Sequence, residues 1–192
     1  MQKTAVTAAA IAPVLADRWS PRAYDETYEV SQHELLSILE AGRWAPSANN
    51  GQPWRYSVAK RGTELFDQMI GAMTGFNQAW APRASAIIVI SILKQKPDGS
   101  AYEVAMLDAG LTAQNMMIQT TELGLAAHPI GGMVHAQMAE VLELPEELRP
   151  VLALTIGKRA DASTLEGTPA FEREVAARVR HDLDDIVLHG KP

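Results

Sequence analysis

Hydrophobic positions recur with two periods along the chain, and these divide it into helices and strands. Leu35, Leu36, Ile38 and Leu39 repeat at helical spacing behind Ser31 and Glu34, whose separation of three predicts a capping box, and Pro46 ends the pattern. Residues 55–59 alternate as a strand does, residues 63–73 return to a helical pattern, and residues 86–93 form an unbroken, largely β-branched run. Such a run predicts a strand covered on both faces, hence one at the centre of a sheet. Residues 102–124 carry apolar side chains on nearly every helical face, among them Val104, Met106, Leu107, Leu111, Met116 and Met117, with few charges. A helix apolar all round has to be buried, which in a chain this short points to a second subunit and a homodimer; the alternative is the central helix of a monomer. Gly124 predicts its C-terminal cap, followed by a short strand at 125–128, a helix at 135–142, a turn at 145–148 and a buried strand at 151–156. Helices thus alternate with strands without a repeat or a linker, which predicts one α+β or α/β layered domain over residues 1–192.

Composition narrows the chemistry. The absence of cysteine excludes disulfides, thiolate metal sites and cysteine nucleophiles, and suits a reducing cytoplasm. The five histidines show no metal-binding spacing, so no metal site is expected. A net charge of -6 argues against a nucleic-acid partner, yet Arg18 and Arg22 near one end and Arg173, Arg178 and Arg180 near the other can still build a local basic pocket for a phosphate. No apolar run reaches the ~18 residues of a membrane span. The first sixteen residues loosely resemble a signal peptide, but Thr4, Thr7 and Pro13 break their apolar run, so residues 1–16 read as an arm packed on the body.

Three clusters carry candidate chemistry. Residues 44–54 crowd Pro46, Ser47, Asn49, Asn50, Gly51 and Gln52 between two tryptophans; prolines and an Asn-Gly pair shape a turn whose amides can read the edge of a flat polar ligand, or else face water. The tryptophans themselves read as packing around that turn. Arg18, Ser20 and Arg22, beside Trp19, suit an anion, or else form ordinary surface charge. Pro129, Ile130, Gly131 and Gly132 follow a short strand, where two glycines let backbone amides approach a ligand or simply make a turn.

In this order, together with Glu122-Leu123-Gly124-Leu125 at the end of the long helix and the basic segment Arg178 to Val187, the clusters resemble the nitroreductase family of FMN-dependent oxidoreductases. The resemblance implies an α+β fold: a three-layer sandwich with a central mixed sheet and a long buried helix, two chains intertwined as a homodimer with two FMN sites at the interface. It also implies that Arg18, Trp19, Ser20 and Arg22 line the flavin, with Arg18 and Ser20 nearer the phosphate and Arg22 nearer the pyrimidine edge. A fixed guanidinium there stabilises the negative charge that reduction leaves on the ring. Pro46, Ser47, Asn50 and Gln52 fall on flavin-contacting positions, Asn50 foremost. Pro129, Ile130, Gly131 and Gly132 match the turn passing near N5, where some relatives carry Glu in place of Gly131. The segment from about 172 to 192 is implied to return to the phosphate through Arg180, then Arg178, with Lys158-Arg159 competing.

The reaction that follows is ping-pong: NADH or NADPH delivers hydride to FMN, and a nitroaromatic, quinone or similar planar acceptor then takes the electrons at the same place. The catalytic chemistry resides on FMN and requires no side-chain nucleophile; His128 is either a proton source or structural. Phe76 and Trp80 are candidate acceptor-facing aromatics, with core packing as the alternative for each. An FMN-binding storage, sensing or flavin-processing protein is the competing reading. No ribose-reading motif distinguishes NADH from NADPH.

Overall fold

The structure, a computed structural model, describes residues 3–190. Behind an N-terminal arm come α1 (Pro13–Asp17), α2 (Gln32–Arg43), β1 (Trp54–Lys60), α3 (Glu64–Gly71), α4 (Gly75–Gln78), β2 (Ala86–Leu93), α5 (Ala105–Glu122), β3 (Ala126–Ile130), α6 (His135–Val141), β4 (Leu148–Gly157), α7 (Phe171–Val175) and α8 (Leu183–Ile186). Helix α2 starts at the expected capping box: Ser31 Oγ accepts from the Glu34 amide at 3.2 Å, and Glu34 Oε2 accepts from the Ser31 amide at 2.7 Å. Gly124, at φ +71°, turns the chain out of α5 into β3, a left-handed conformation that glycine adopts without strain.

The strands form one sheet in the order β1-β2-β4-β3, with β2 inside it as its apolar run requires. All three pairings are antiparallel, which corrects the expected mixed sheet for the described residues. The reason lies in the connections: α3 with α4, and α6, each return the chain to the end of the sheet it has just left. Period-two alternation in β2 sends Ile88, Ile90 and Ile92 into one layer with Leu35 and Ile38 of α2 and Ala109 and Met116 of α5. Ile87 and Val89 enter the opposite layer with Phe66 and Met69 of α3 and Met138 of α6. The sandwich therefore has three layers, and each isoleucine buried in it contributes about 2 kcal/mol of transfer free energy.

Helix α2 lies close on α5. The Thr112 hydroxyl donates to the Gly42 carbonyl at 2.9 Å, and a Cβ on Gly42 would stand 2.9 Å from that hydroxyl. The long helix is not covered all round, contrary to its composition. It buries Ala105, Asp108, Ala109, Thr112, Ala113, Met116, Met117 and Thr120 against the sheet and α2, while Met106, Leu107 and Leu111 stay exposed, Leu107 at 67%. A straight helix resting on one layer leaves its far side open, so within a single chain this apolar face has no cover. Among the described residues no helix is long and apolar enough to cross a membrane.

Candidate functional site

Residues 18–24 run without regular structure from α1 onto the ends of β3 and β4, and three contacts fix them there. His128 of β3 places Nδ1 2.9 Å from the Pro21 carbonyl oxygen. Tyr24, fully buried, sets its hydroxyl 3.0 Å from Thr155 Oγ1 of β4. Glu174 of α7, only 3% exposed, accepts from the Arg22 amide at 2.7 Å. Held this way, Arg18, Trp19, Ser20 and Arg22 line a cavity of about 200 Å³ together with Lys3, Arg173, Arg178 and Arg180. The two basic ends of the chain, far apart in sequence, thus converge on one cavity.

Its electrostatics suit an anion. Burial, then Arg178 and Arg180, push the Arg18 guanidinium below its usual value. Burial also lowers that of Arg22, with Arg173 adding to the effect and Glu174 opposing it. Like charges gathered in a partly dry space cost free energy until an anion enters. Two donors at the same place, Trp19 Nε1 and Arg22 Nε, are buried without a hydrogen-bond partner. Buried donors are nearly always satisfied, and these two belong to residues that line the cavity, although Trp80 Nε1 and Ser91 Oγ in the core are orphaned as well.

The two candidate aromatics separate. Trp80 is fully buried, its ring 6.4 Å from that of Tyr24 and 4.5 Å from that of His128, so its assignment to the acceptor is corrected: it fills the core beneath residues 18–24. Phe76, half-buried, lies at the cavity edge with the Arg173 guanidinium 4.3 Å and the Arg22 guanidinium 5.8 Å from its ring centre. The glycine turn comes alongside. Gly132 accepts from Asn77 Nδ2 at 3.1 Å, and a Cβ there would stand 2.7 Å from that nitrogen, whereas Gly131 is exposed with open space around it. Ile130 belongs to the core through its side chain, and Pro129 and Ile130 are the last residues of β3 rather than part of a turn.

The 44–54 turn is strained and anchored elsewhere. Asn49, Asn50 and Gln52 all have positive φ, at 52°, 54° and 45°, a conformation asparagine tolerates and glutamine does not readily adopt. Compensating bonds hold it: Ser47 Oγ accepts from the Gln52 amide at 3.0 Å, and Asp108 Oδ1, from α5, accepts from the Ala48 amide at 3.2 Å. Gln52 Nε2 donates to the Asn50 carbonyl at 3.0 Å, so the Gln52 amide is engaged within the turn. Pro46 and Asn50 are exposed, Ser47 half-buried, and the cavity lining includes none of these residues. Trp54 packs in the core as expected; Trp44 does not, standing 72% exposed with Nε1 donating to Glu40 Oε1 at 2.9 Å. Its helix-end position faces it away from both core layers.

A family model for the nitroreductase family matches residues 15–74 and 59–158. The chain belongs to the nitroreductase family. Among its relatives is the Bacillus subtilis protein YdgI, provisionally named a NAD(P)H nitroreductase, 27% identical over 187 residues that span 77% of this chain and 88% of that one. Among solved structures, an oxidoreductase containing FMN is 31% identical, covers 97% of this chain and 94% of its own, and superposes with a TM-score of 0.88. A provisionally named nitroreductase of Desulfovibrio desulfuricans in complex with FMN is 26% identical, with coverage of 95% and 99% and a TM-score of 0.75.

In this nitroreductase-family chain the donor set fits FMN: clustered guanidiniums and a serine for a phosphate, and an orphaned guanidinium nitrogen beside an aromatic edge for a ring. Arg178 departs from the expected pattern, because its Nη1 donates to the carbonyls of Lys3 and Ala16, both at 2.6 Å, and so fastens the N-terminal arm. Arg180 donates to its neighbour's carbonyl and keeps its place on the cavity. Lys158 and Arg159 are exposed and outside the lining of this cavity. Lys3 and Glu174 were not legible as site residues, since each is an ordinary charge until the fold joins positions 171 residues apart.

Proposed function

We propose that this chain is an FMN-dependent NAD(P)H oxidoreductase acting on a planar electron acceptor, a nitroaromatic, a quinone or a similar compound. The observation that carries this reading is the cationic cavity with its two orphaned buried donors, Trp19 Nε1 and Arg22 Nε. When bound, FMN supplies the redox chemistry, taking two electrons from NAD(P)H and passing them to an acceptor that later occupies the same face, a ping-pong order.

The chain's residues divide the remaining work. Arg18, Ser20 and Arg180 would hold the phosphate by charge-assisted bonds. Arg22, whose Nε is buried and unpaired, would face the ring edge, and its charge would favour reduction by stabilising the anionic reduced flavin. Phe76 offers a flat apolar wall beside that guanidinium, and the open space at Gly131 leaves room for the acceptor. His128 donates no proton at neutral pH: burial brings it down to about 4 and its Nδ1 is tied to Pro21, so protons come from solvent.

A cavity of about 200 Å³ is too small for a whole flavin, and Asn50, whose backbone amide donates to the Ser47 carbonyl while its side chain is exposed, lies outside its lining. Two copies joined through the exposed face of α5 would supply the turn of one chain to the cavity of the other, because Asp108 ties that turn to α5 itself. We therefore infer a homodimer with shared sites. The test is an anaerobic spectrum of the purified protein after FMN addition, titrated with NADH and then NADPH. Retained flavin absorbance that is bleached by one nucleotide and restored by a nitroaromatic or quinone is the expected result. Retained absorbance that neither nucleotide bleaches would instead favour a storage, sensing or flavin-processing protein, and no retained flavin would overturn both.

A further inference from the structure

The N-terminal arm closes on itself at a neck. The Ala5 amide donates to the Ala16 carbonyl at 2.9 Å, Thr4 Oγ1 donates to Asp17 Oδ1 at 2.6 Å, and Arg178 Nη1 bridges the carbonyls of Lys3 and Ala16. Residues 5–16 therefore form a loop whose two ends meet under one guanidinium. That neck delivers Lys3 to the cavity wall. Its ammonium stands 4.7 Å from the centre of the Trp19 ring, donates to the Ala176 carbonyl at 2.7 Å and to the Glu174 carbonyl, and lines the cavity beside Arg18, Ser20 and Arg180.

We propose that Lys3 is a phosphate-binding residue of the flavin site, and that the arm is a strap which the phosphate and Arg178 together hold shut. The proposal rests on the FMN reading above and adds to it a residue lying ahead of the segment matched by the family model, which begins at residue 15. The geometry favours a phosphate over the ring as the group Lys3 meets, because the residues that share its cavity wall are mostly cations, with the Ser20 hydroxyl and the Trp19 indole, and the nearby Glu174 carboxylate is taken by the Arg22 amide. Burial lowers the basicity of Lys3; the Glu174 carboxylate opposes that effect while Arg22 and Arg178 add to it, and a dianion beside Lys3 would compensate both the burial and the two cations. An ammonium is a flexible point charge suited to this task, and its two carbonyl partners fix its direction without neutralising it.

Riboflavin has the same ring and side chain as FMN but no phosphate, and this separates the possibilities. Affinities of both flavins are measured by quenching of flavin fluorescence for the wild-type chain, Lys3→Gln and Lys3→Arg. For Lys3→Gln the expected result is an FMN Kd raised about tenfold, the loss of one charge-assisted bond, with riboflavin affinity unchanged and FMN affinity largely restored in Lys3→Arg. Hydrogen exchange at the Ala5 and Ala16 amides is expected to slow on adding FMN and not on adding riboflavin. An unchanged FMN Kd in Lys3→Gln, or an equal loss for both flavins, overturns the assignment while leaving the flavin site intact. A wild-type chain that binds neither flavin overturns the FMN reading itself, and this inference with it.

Discussion

Arg22 joins more of the site than any other side chain. Its amide is fixed by Glu174, its guanidinium lies between Phe76 and Trp80, and its Nε is buried and unpaired. Arg22→Ala is expected to weaken FMN binding and to lower the flavin's reduction potential, with the lost charged hydrogen bond worth on the order of 1.5–3 kcal/mol. Isothermal titration and a redox titration check the two effects, and unchanged values in both would misplace the side chain. His128 supplies a separate prediction about pH. The unfolded ring titrates near 6.5 and the folded one near 4, so between those values the unfolded state binds more protons and stability rises with pH. The contribution is complete above pH 6.5 and is lost as pH falls to 4; a shift of this size corresponds to about 3 kcal/mol. Denaturation at several pH values should show this slope in the wild-type chain and a shallower one in His128→Gln. Residue identity alone did not separate Phe76 from Trp80, four apart and both aromatic. Tyr24 and His128, which take Trp80 into the core, come from segments far away in the chain.

At the scale of elements, periodicity was a reliable guide where packing is local. The capping box at Ser31 and Glu34, the central strand at Ala86–Leu93 and the glycine after the long helix all follow from short-range patterns, and all are present. The 44–54 turn was visible as a turn, but its three left-handed residues were not, because glutamine at positive φ has no composition signal. What sustains it comes from α5 and the segment just before it: Asp108 receives the Ala48 amide, and the Tyr102 hydroxyl lies so close to Gly51 that a Cβ could not fit between them. Gly51→Ala is therefore expected to destabilise the fold by about 1–3 kcal/mol through overpacking and to weaken FMN binding by displacing Asn50. Adding Tyr102→Phe, which removes the hydroxyl, should recover part of both losses, because the Tyr102 ring carbon at 3.0 Å and the Ala48 carbonyl at 3.1 Å still crowd the new methyl, as read by urea denaturation and flavin titration. Failure of that rescue would show that the turn is not seated on Tyr102.

At the scale of the molecule, the long helix joins the structural account to the functional one. Its all-round apolar composition demanded a cover that the single chain does not provide, and the uncovered face belongs to the same helix that anchors the amide-bearing turn. The cationic cavity lies elsewhere, built from both ends of the chain. In the homodimer proposed above, a second copy docked on α5 would bring the turn of one chain to the cavity of the other. Composition and family resemblance lead to the expectation of a dimer, but neither locates the cavity or the turn, since that depends on which elements the fold brings together. The most direct measurement is FMN binding by co-expressed variants that each lack one half, Arg18→Ala with Arg22→Ala in one chain and Asn50→Ala with Ser47→Ala in the other. Each variant alone is expected to bind FMN poorly, whereas the isolated mixed pair should regain one tight site, assembled from the intact cavity of one chain and the intact turn of the other. A mixed pair that binds no better than its two parents would contradict a site shared between chains.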